Sequence, residues 1–446
     1  MKPKVNVCYP LRNIKNKYIH IIMNNQFYDI VIIGSGMSGL YSAFNIIKMS
    51  PKTSFVILEK HKKQWIGGRT SNEMFYGSEI VTGAGIGRRK KDILLYKLLK
   101  ELHIKTYDFE LNSNYSNTVH HISNIHKTIL QLKEEYNKQY NDKKITIEKE
   151  SKTFKQFAKS VLGEKEYKLF LITTGYTDYE NEDAYDTLYN YGMEDNEFKY
   201  KAFHVEWREM VLRLADKIGL HNFKFSNDVC KIEKISDNPC RFKVNTETDI
   251  QYYCNKVIVA TTISGIRKLL PQYPIYNEIE GQPFLRLYGK FSKKSIPVMK
   301  EYVKKGITVV LGPLQKIIPI NPDNGIYMIS YSDNNNAVAL KKHLENTREN
   351  RDLFCELLEK TLGIPENTLH LTAIKAYYWP IGTHYYKPLN KRLYNNRNDF
   401  IKKAQHPEDG VLVVGEVVSN NQGWTEGALE SVKAVLTKKW IEQACL

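Results

Sequence analysis

Apolar residues in this chain gather into short uninterrupted runs in a few places and recur at helical spacing in others. The first run follows Tyr28, where Asp29-Ile30-Val31-Ile32-Ile33 is β-branched with no polar alternation. That is the pattern of a strand covered on both faces of a parallel sheet. Gly34-Ser35-Gly36-Met37-Ser38-Gly39 comes next, and from Leu40 to Ile47 the apolar positions return every three or four residues, which predicts a helix ended by Pro51. Ser54-Phe55-Val56-Ile57-Leu58 is a second strand and stops at Glu59. Strand, glycine turn, helix, strand and acid together make a βαβ unit.

Beyond it lie Gly67-Gly68-Arg69-Thr70, a second glycine-rich loop from Thr82 to Gly87, and a helix from Asp92 to about Leu102. Residues 112–150 are polar and read as exposed helix and loop. Residues 151–218 read as mostly helical, with amphipathic stretches at 154–162 and 207–218. Strand patterns return from Phe223 and close with Lys256-Val257-Ile258-Val259-Ala260-Thr261-Thr262. Strands and helices alternate over 283–390. The last piece is a buried strand ending at Gly415-Glu416, a polar loop, and a helix from Trp424 or Thr425 to the end. No repeat of solenoid period is visible.

With 446 residues the chain is long enough for two or three domains. Its 42% hydrophobic and 26% charged content excludes a disordered or fibrous chain. A formal charge of +16 favours anionic company, whether phosphate ligands, nucleic acid or an acidic surface. The six cysteines form no C-x-x-C pair, so neither a disulfide framework nor a metal site is indicated, and a reducing compartment fits. The first 26 residues lack a signal-peptide core, and no stretch approaches the ~18 apolar residues of a membrane span. A soluble, intracellular, unsecreted protein is expected, with no membrane partner. The abundance of Asn, Lys, Ile and Tyr suits an AT-rich genome of a protist, bacterium or large DNA virus.

Glycines at 34, 36 and 39, between a strand and a helix, form a dinucleotide fingerprint. The first makes the tight turn, the second lets backbone approach a pyrophosphate, and the third lets helix and strand pack closely. Phosphate then sits on the helix N-terminus. Glu59, at the end of the second strand, is placed to accept the hydroxyls of an adenosine ribose and would repel a 2′-phosphate, which disfavours NADP. A glycine turn in some other α/β fold is the plainer reading, and the complete strand-helix-strand-acid context weighs against it.

Four features in order along the chain, the fingerprint with Glu59, Gly68-Arg69, the strand ending Ala260-Thr261, and Gly415-Glu416 followed by Gly423-Trp424-Thr425-Glu426-Gly427-Ala428, resemble the flavin-containing amine oxidase family. The resemblance spans Phe27 to the C-terminus. It implies an α/β fold with a discontinuous Rossmann-like FAD-binding domain (27–88, 219–268 and 406–446) and an α+β substrate domain with a mixed sheet (89–218 and 269–405), preceded by an N-terminal extension (1–26). It also implies FAD in an extended pose. Gly34, Gly36, Gly39 and Glu59 would lie at its adenosine end, with the backbone of Val229 against adenine. Gly68, Arg69, Gly83, Gly415 and Glu416 would lie along its middle, and Trp424, Thr425 and Ala428 at the flavin, where a helix N-terminus favours reduced flavin. Arg69 as a solvated side chain and Gly83 as plain surface loop are the alternatives.

Two departures bear on chemistry. The family's amine-oxidising members carry a lysine that holds a water beside flavin N5, and by register Arg286 stands there. Arginine is larger, planar and permanently charged, so Arg286 could orient water, pair a substrate carboxylate, mark loss of amine oxidation or serve in a structural ion pair. A register slip would bring in Lys290 instead. The stretch matching a covalent flavin cysteine is Gly382-Thr383-His384-Tyr385, which has none, so FAD is expected to bind non-covalently and His384 to be a satisfied surface histidine. Tyr385 and Trp424 match the aromatic pair that flanks the substrate amine, and Trp379 lines the same cavity, with ordinary core as the alternative. The basic runs Arg88-Arg89-Lys90-Lys91, Lys290–Lys294 and Lys304-Lys305 read as solvated faces before they read as a nucleic-acid surface.

The activity implied is hydride transfer from a C–H bond next to nitrogen, on an amine or amino acid, to flavin N5. An imine is hydrolysed, and molecular oxygen becomes hydrogen peroxide. A flavoprotein with a structural or polyanion-binding role is a second reading, and an oxidoreductase on a non-amine a third. Monomer and homodimer both stay open.

Overall fold

The computed structural model describes residues 26–140, 151–191, 193, 199–235 and 240–443. Two sheets organise them. The first has seven strands, and five of them run parallel: Phe223–Phe225, Phe55–Glu59, Gln26–Ile33, Gln251–Val259 and Val411–Val413. Antiparallel strands Phe242–Thr246 and Val229–Lys234 continue it from Gln251–Val259. Alternate residues of the apolar runs enter different cores. Ile30, Ile32, Ile57, Ile258 and Leu412 face helices Met37–Met49, Trp207–Ile218 and Thr425–Val435. Val31, Ile33, Val56, Val257 and Val413 pack on the opposite side. Both faces are covered, which is why these strands carry no polar alternation.

The second sheet is mixed. Its order is Leu371–Tyr386, Ile279–Phe291, Ile326–Asp333, Lys316–Asn321, Ile307–Val309 and Ser113–Tyr115. All neighbours are antiparallel except the last pair. Helix Phe154–Thr174 starts with a capping box between Thr153 and Gln156, is interrupted at Gly163 and ends at Gly175, both with positive φ.

Three local expectations change. Tyr200–Phe203 is a strand inside a segment read as helical; it pairs with Asp108–Leu111 and Gly87–Arg88, partners far away in sequence. Ser113–Tyr115 joins the second sheet rather than an exposed loop. The final helix is broken, because Leu436 leaves helical geometry and Thr437 caps a separate helix, Lys438–Glu442. Residues 1–25 of the extension 1–26, the end of the polar stretch at 141–150, Cys8 and Cys445 lie outside the described residues. Among the described residues no helix is long and apolar enough to cross a membrane.

The closeness of helix and strand at the fingerprint is measurable. A Cβ on Gly39 would stand 2.0 Å from the Gly34 carbonyl oxygen, and Gly34 itself has φ +106°. Gly39→Ala should therefore push the helix off the sheet and cost about 1–3 kcal/mol. A melting temperature equal to the parent's would contradict this packing.

Candidate active site

One cavity of about 1270 Å³ runs from the glycine turn to the second sheet, larger than the about 300–1,000 Å³ of an ordinary ligand pocket. At one end the backbone of Gly36 borders open space: nothing lies within 4 Å of where its Cβ would be. Helix Met37–Met49 begins there with no side-chain cap and no acidic residue in its first turn, so its amide donors are left for a ligand. Glu59 closes this end. Its Oε2 accepts from the amide and hydroxyl of Ser35 (2.9 and 2.8 Å) and its Oε1 from the His61 amide (2.9 Å). Val229 lines the same region. Gly39 does not line the cavity and serves packing alone.

Gly67 and Gly68, both with positive φ, bring the second loop against the first. The Gly67 amide donates to Ser35 O at 2.9 Å, and a Cβ on Gly68 would find Gly36 Cα at 3.8 Å. Gly83 packs on the Arg69 backbone so closely that a Cβ would meet Arg69 O at 2.2 Å. Arg69 is no solvated side chain. Its Nη1 donates to Gly382 O (2.6 Å) and to Glu416 Oε1 (3.0 Å).

Glu416 is the hub of the middle section. Its Oε1 also meets His384 Nδ1 at 2.5 Å, and its Oε2 accepts from the Gly423 amide at 3.0 Å. His384 is not on the surface as expected; it is 3% exposed. Ile263 donates its amide to Nε2 at 3.1 Å, so the ring proton is on Nδ1 and points at Glu416. A spacing argument could not show this, because the partners lie 32 and 121 residues away. Burial by itself would push the Glu416 carboxyl up; His384, Arg69 and the Gly423 amide outweigh it and hold it at about 2.

Trp424, Thr425 and Ala428 line the cavity where helix Thr425–Val435 begins without a side-chain cap. The acid of its first turn, Glu426, is turned away to accept from Leu94 and Leu95 amides at 2.7 and 2.8 Å. Tyr385 and Trp379 line the cavity, the Trp379 indole donating to Thr82 O at 2.7 Å. Arg286 lines it too, 8% exposed, with Nε donating to Gly83 O at 2.6 Å. It takes part in no ion pair within 4.0 Å among the described residues, so the structural ion-pair reading falls. Lys290 lies off the cavity and bonds Asn324 O.

Several residues here were not anticipated. Arg88 belongs to no solvated face: it is buried, bonded through Nη2 to Asp92 Oδ1 (2.7 Å) and Asn421 Oδ1 (2.9 Å), and stacked on Trp424. Asp178, Glu182 and Lys316 are buried and line the cavity; nothing in their local spacing marks them. Gln282 and Gln422 also line it, and each has a buried amide oxygen with no partner in the protein. Orphaned acceptors in the cavity that also holds the open glycine turn fit a dinucleotide ligand that brings its own donors.

No protein-family model matches the chain. Solved structures do. Putrescine oxidase in complex with putrescine aligns with a TM-score of 0.70 at 14% identity, covering 92% of this chain and 98% of its own. Cyclohexylamine oxidase from Brevibacterium oxydans aligns with a TM-score of 0.69 at 15% identity, covering 93% and 98%. The chain therefore has the amine oxidase fold, an α/β architecture with a Rossmann-like domain. A curated relative, an uncharacterised protein of Acanthamoeba polyphaga mimivirus, is 30% identical over 107 residues, which is 24% of this chain and 18% of that protein's length.

The Glu416 hub makes stability depend on pH. Because its carboxyl is lowered from 4.5 to about 2, its contribution is complete above pH 4.5 and is lost as pH falls from there toward 2. Urea unfolding across that range should show the loss. Glu416→Gln should be less stable by ~3–5 kcal/mol near neutrality and should lack this part of the acid limb. Parallel acid limbs in the two proteins would mean that the charge does not hold the hub.

Proposed function

We propose that this cavity binds FAD non-covalently and that the protein is an FAD-dependent oxidoreductase acting on a C–H bond next to an amine nitrogen. The observation that carries the reading is the open glycine turn beneath Glu59, continuous in one cavity with the aromatic wall at Tyr385, Trp379 and Trp424. The turn Gly34–Gly39 and the helix N-terminus would hold the diphosphate, and Glu59 with Val229 the adenosine. Gly68, Arg69, Gly83, Gly415 and Glu416 would border the middle of the cofactor, and Trp424, Thr425 and Ala428 the flavin end. Bound there, FAD supplies a hydride acceptor that molecular oxygen can restore with release of hydrogen peroxide. Among the described residues no cysteine lines the cavity, which supports non-covalent binding.

The chain's own groups position the substrate and keep water out. The aromatic wall gives the amine a dry, flat slot. Arg286 cannot act as a base, since a guanidinium keeps its proton; it can only orient what it touches. His384 is committed on both ring nitrogens, to Glu416 and Ile263, and is therefore no flavin link. A reducing intracellular setting, in a cell or a virion, belongs to the same proposal and is supported by Cys230 and Cys355, which form no disulfide among the described residues.

Purified protein should be yellow or become so with FAD, and anaerobic mixing with putrescine, cyclohexylamine or an amino acid should bleach it. A folded chain that stays colourless in excess FAD would sink the reading. Glu59→Ala should weaken FAD by about tenfold or more with an unchanged circular dichroism spectrum; unchanged affinity would remove Glu59 from the adenosine site.

A further inference from the structure

Several rings that line the substrate end of the cavity already carry a cation of the protein itself. The Arg88 guanidinium lies 3.8 Å from the Trp424 ring centroid. It is not among the lining residues, so it stands behind the ring. Lys316 Nζ lies 2.8 Å from the Tyr176 centroid and 4.4 Å from that of Tyr331, and the Arg286 guanidinium lies 4.3 Å from Tyr331. A π face that already serves a cation offers little to a substrate ammonium.

The counter-charges are uneven. Arg88 is matched by Asp92. Lys316 has Asp178 and Asp333 nearby. Arg286 has no carboxylate within 4.0 Å among the described residues; its partners are neutral, with Nε on Gly83 O, Nη1 3.8 Å from the weak acceptor Met328 Sδ, and the Tyr288 hydroxyl in reach of the guanidinium. Its Nη2 rests over Gly85, where a Cβ would come within 3.1 Å, so the absent side chain makes the space the guanidinium uses. The lining acids at this end do not cancel the charge. Burial pushes Asp178 up to about 8 and Glu182 well above its ordinary range, which disfavours their charged forms. A buried cation without a counter-ion is costly unless a ligand supplies one.

We infer that Arg286 is the seat of a negatively charged group on the substrate, so that the cavity selects an amine that also carries a carboxylate over a plain mono- or diamine. This rests on the reading of the cavity as a substrate chamber. The planar fork of the guanidinium suits two carboxylate oxygens, and its fixed place against the loop 83–85 would set the distance from carboxylate to reacting carbon.

The test uses two probes of matched shape and opposite charge, benzoate and benzylammonium, titrated into FAD-loaded protein and followed by flavin absorption and calorimetry. Benzoate should bind saturably and at least about tenfold more tightly than benzylammonium. Arg286→Gln should lose about tenfold or more of the benzoate affinity while keeping its flavin, and Arg286→Lys should fall between. Equal or tighter binding of benzylammonium, or undiminished benzoate binding by Arg286→Gln, overturns the inference. If the chain takes up no FAD, the oxidoreductase reading fails separately, and calorimetry with the two probes still decides the charge preference.

Discussion

The carboxylate of Glu416 holds together what the rest of the site needs. It accepts from Arg69, 347 residues earlier, and faces His384 on the long strand of the second sheet, while its other oxygen accepts the amide of Gly423 just before the last long helix. Three stretches of chain with no local reason to meet are thus fixed around one buried charge. Such a charge is tolerable only when its lone pairs are taken up, and here they are. Remove the charge and Arg69 and His384 lose their common partner.

Much of the architecture was legible because strands covered on both sides announce themselves. The runs at Asp29–Ile33, Phe55–Leu58 and Val257–Val259 could not be surface strands, and the glycines between the first two permit only a tight turn against a helix. The site residues implied by the family resemblance, Gly39 excepted, also line one cavity, from Gly34 to Ala428. What stayed hidden depends on contacts across sequence. Strand Tyr200–Phe203 takes its identity from partners near residues 88 and 109, so a local pattern reads it as part of a helical stretch. Arg88 looked solvated because it opens a basic run, yet of the four residues in the run Lys90 alone is exposed; the Arg88 side chain turns in to Asp92 and Trp424. His384 was misjudged for a similar reason, since both of its partners are remote.

The electrostatic character of the cavity follows from the same kind of non-local meeting. An aromatic wall taken alone suggests attraction for ammonium groups. With Arg88 against Trp424, and Lys316 and Arg286 against the neighbouring lining rings Tyr176 and Tyr331, the preference we infer is the opposite one. The overall surplus of basic residues says nothing about this; the inference rests on three buried cations at particular rings.

The discontinuous first sheet also has a consequence for the nascent protein. Strand Gln26–Ile33 emerges from the ribosome early, but its neighbour Gln251–Val259 and the outer strand Val411–Val413 follow hundreds of residues later. During translation the strands of the second sheet are therefore all made before the first sheet has its last strand, with apolar strand faces waiting uncovered and in need of protection from aggregation. A cofactor could be captured only once residues 411–428 have been made, and its binding would then draw the folding chain toward the native state by mass action.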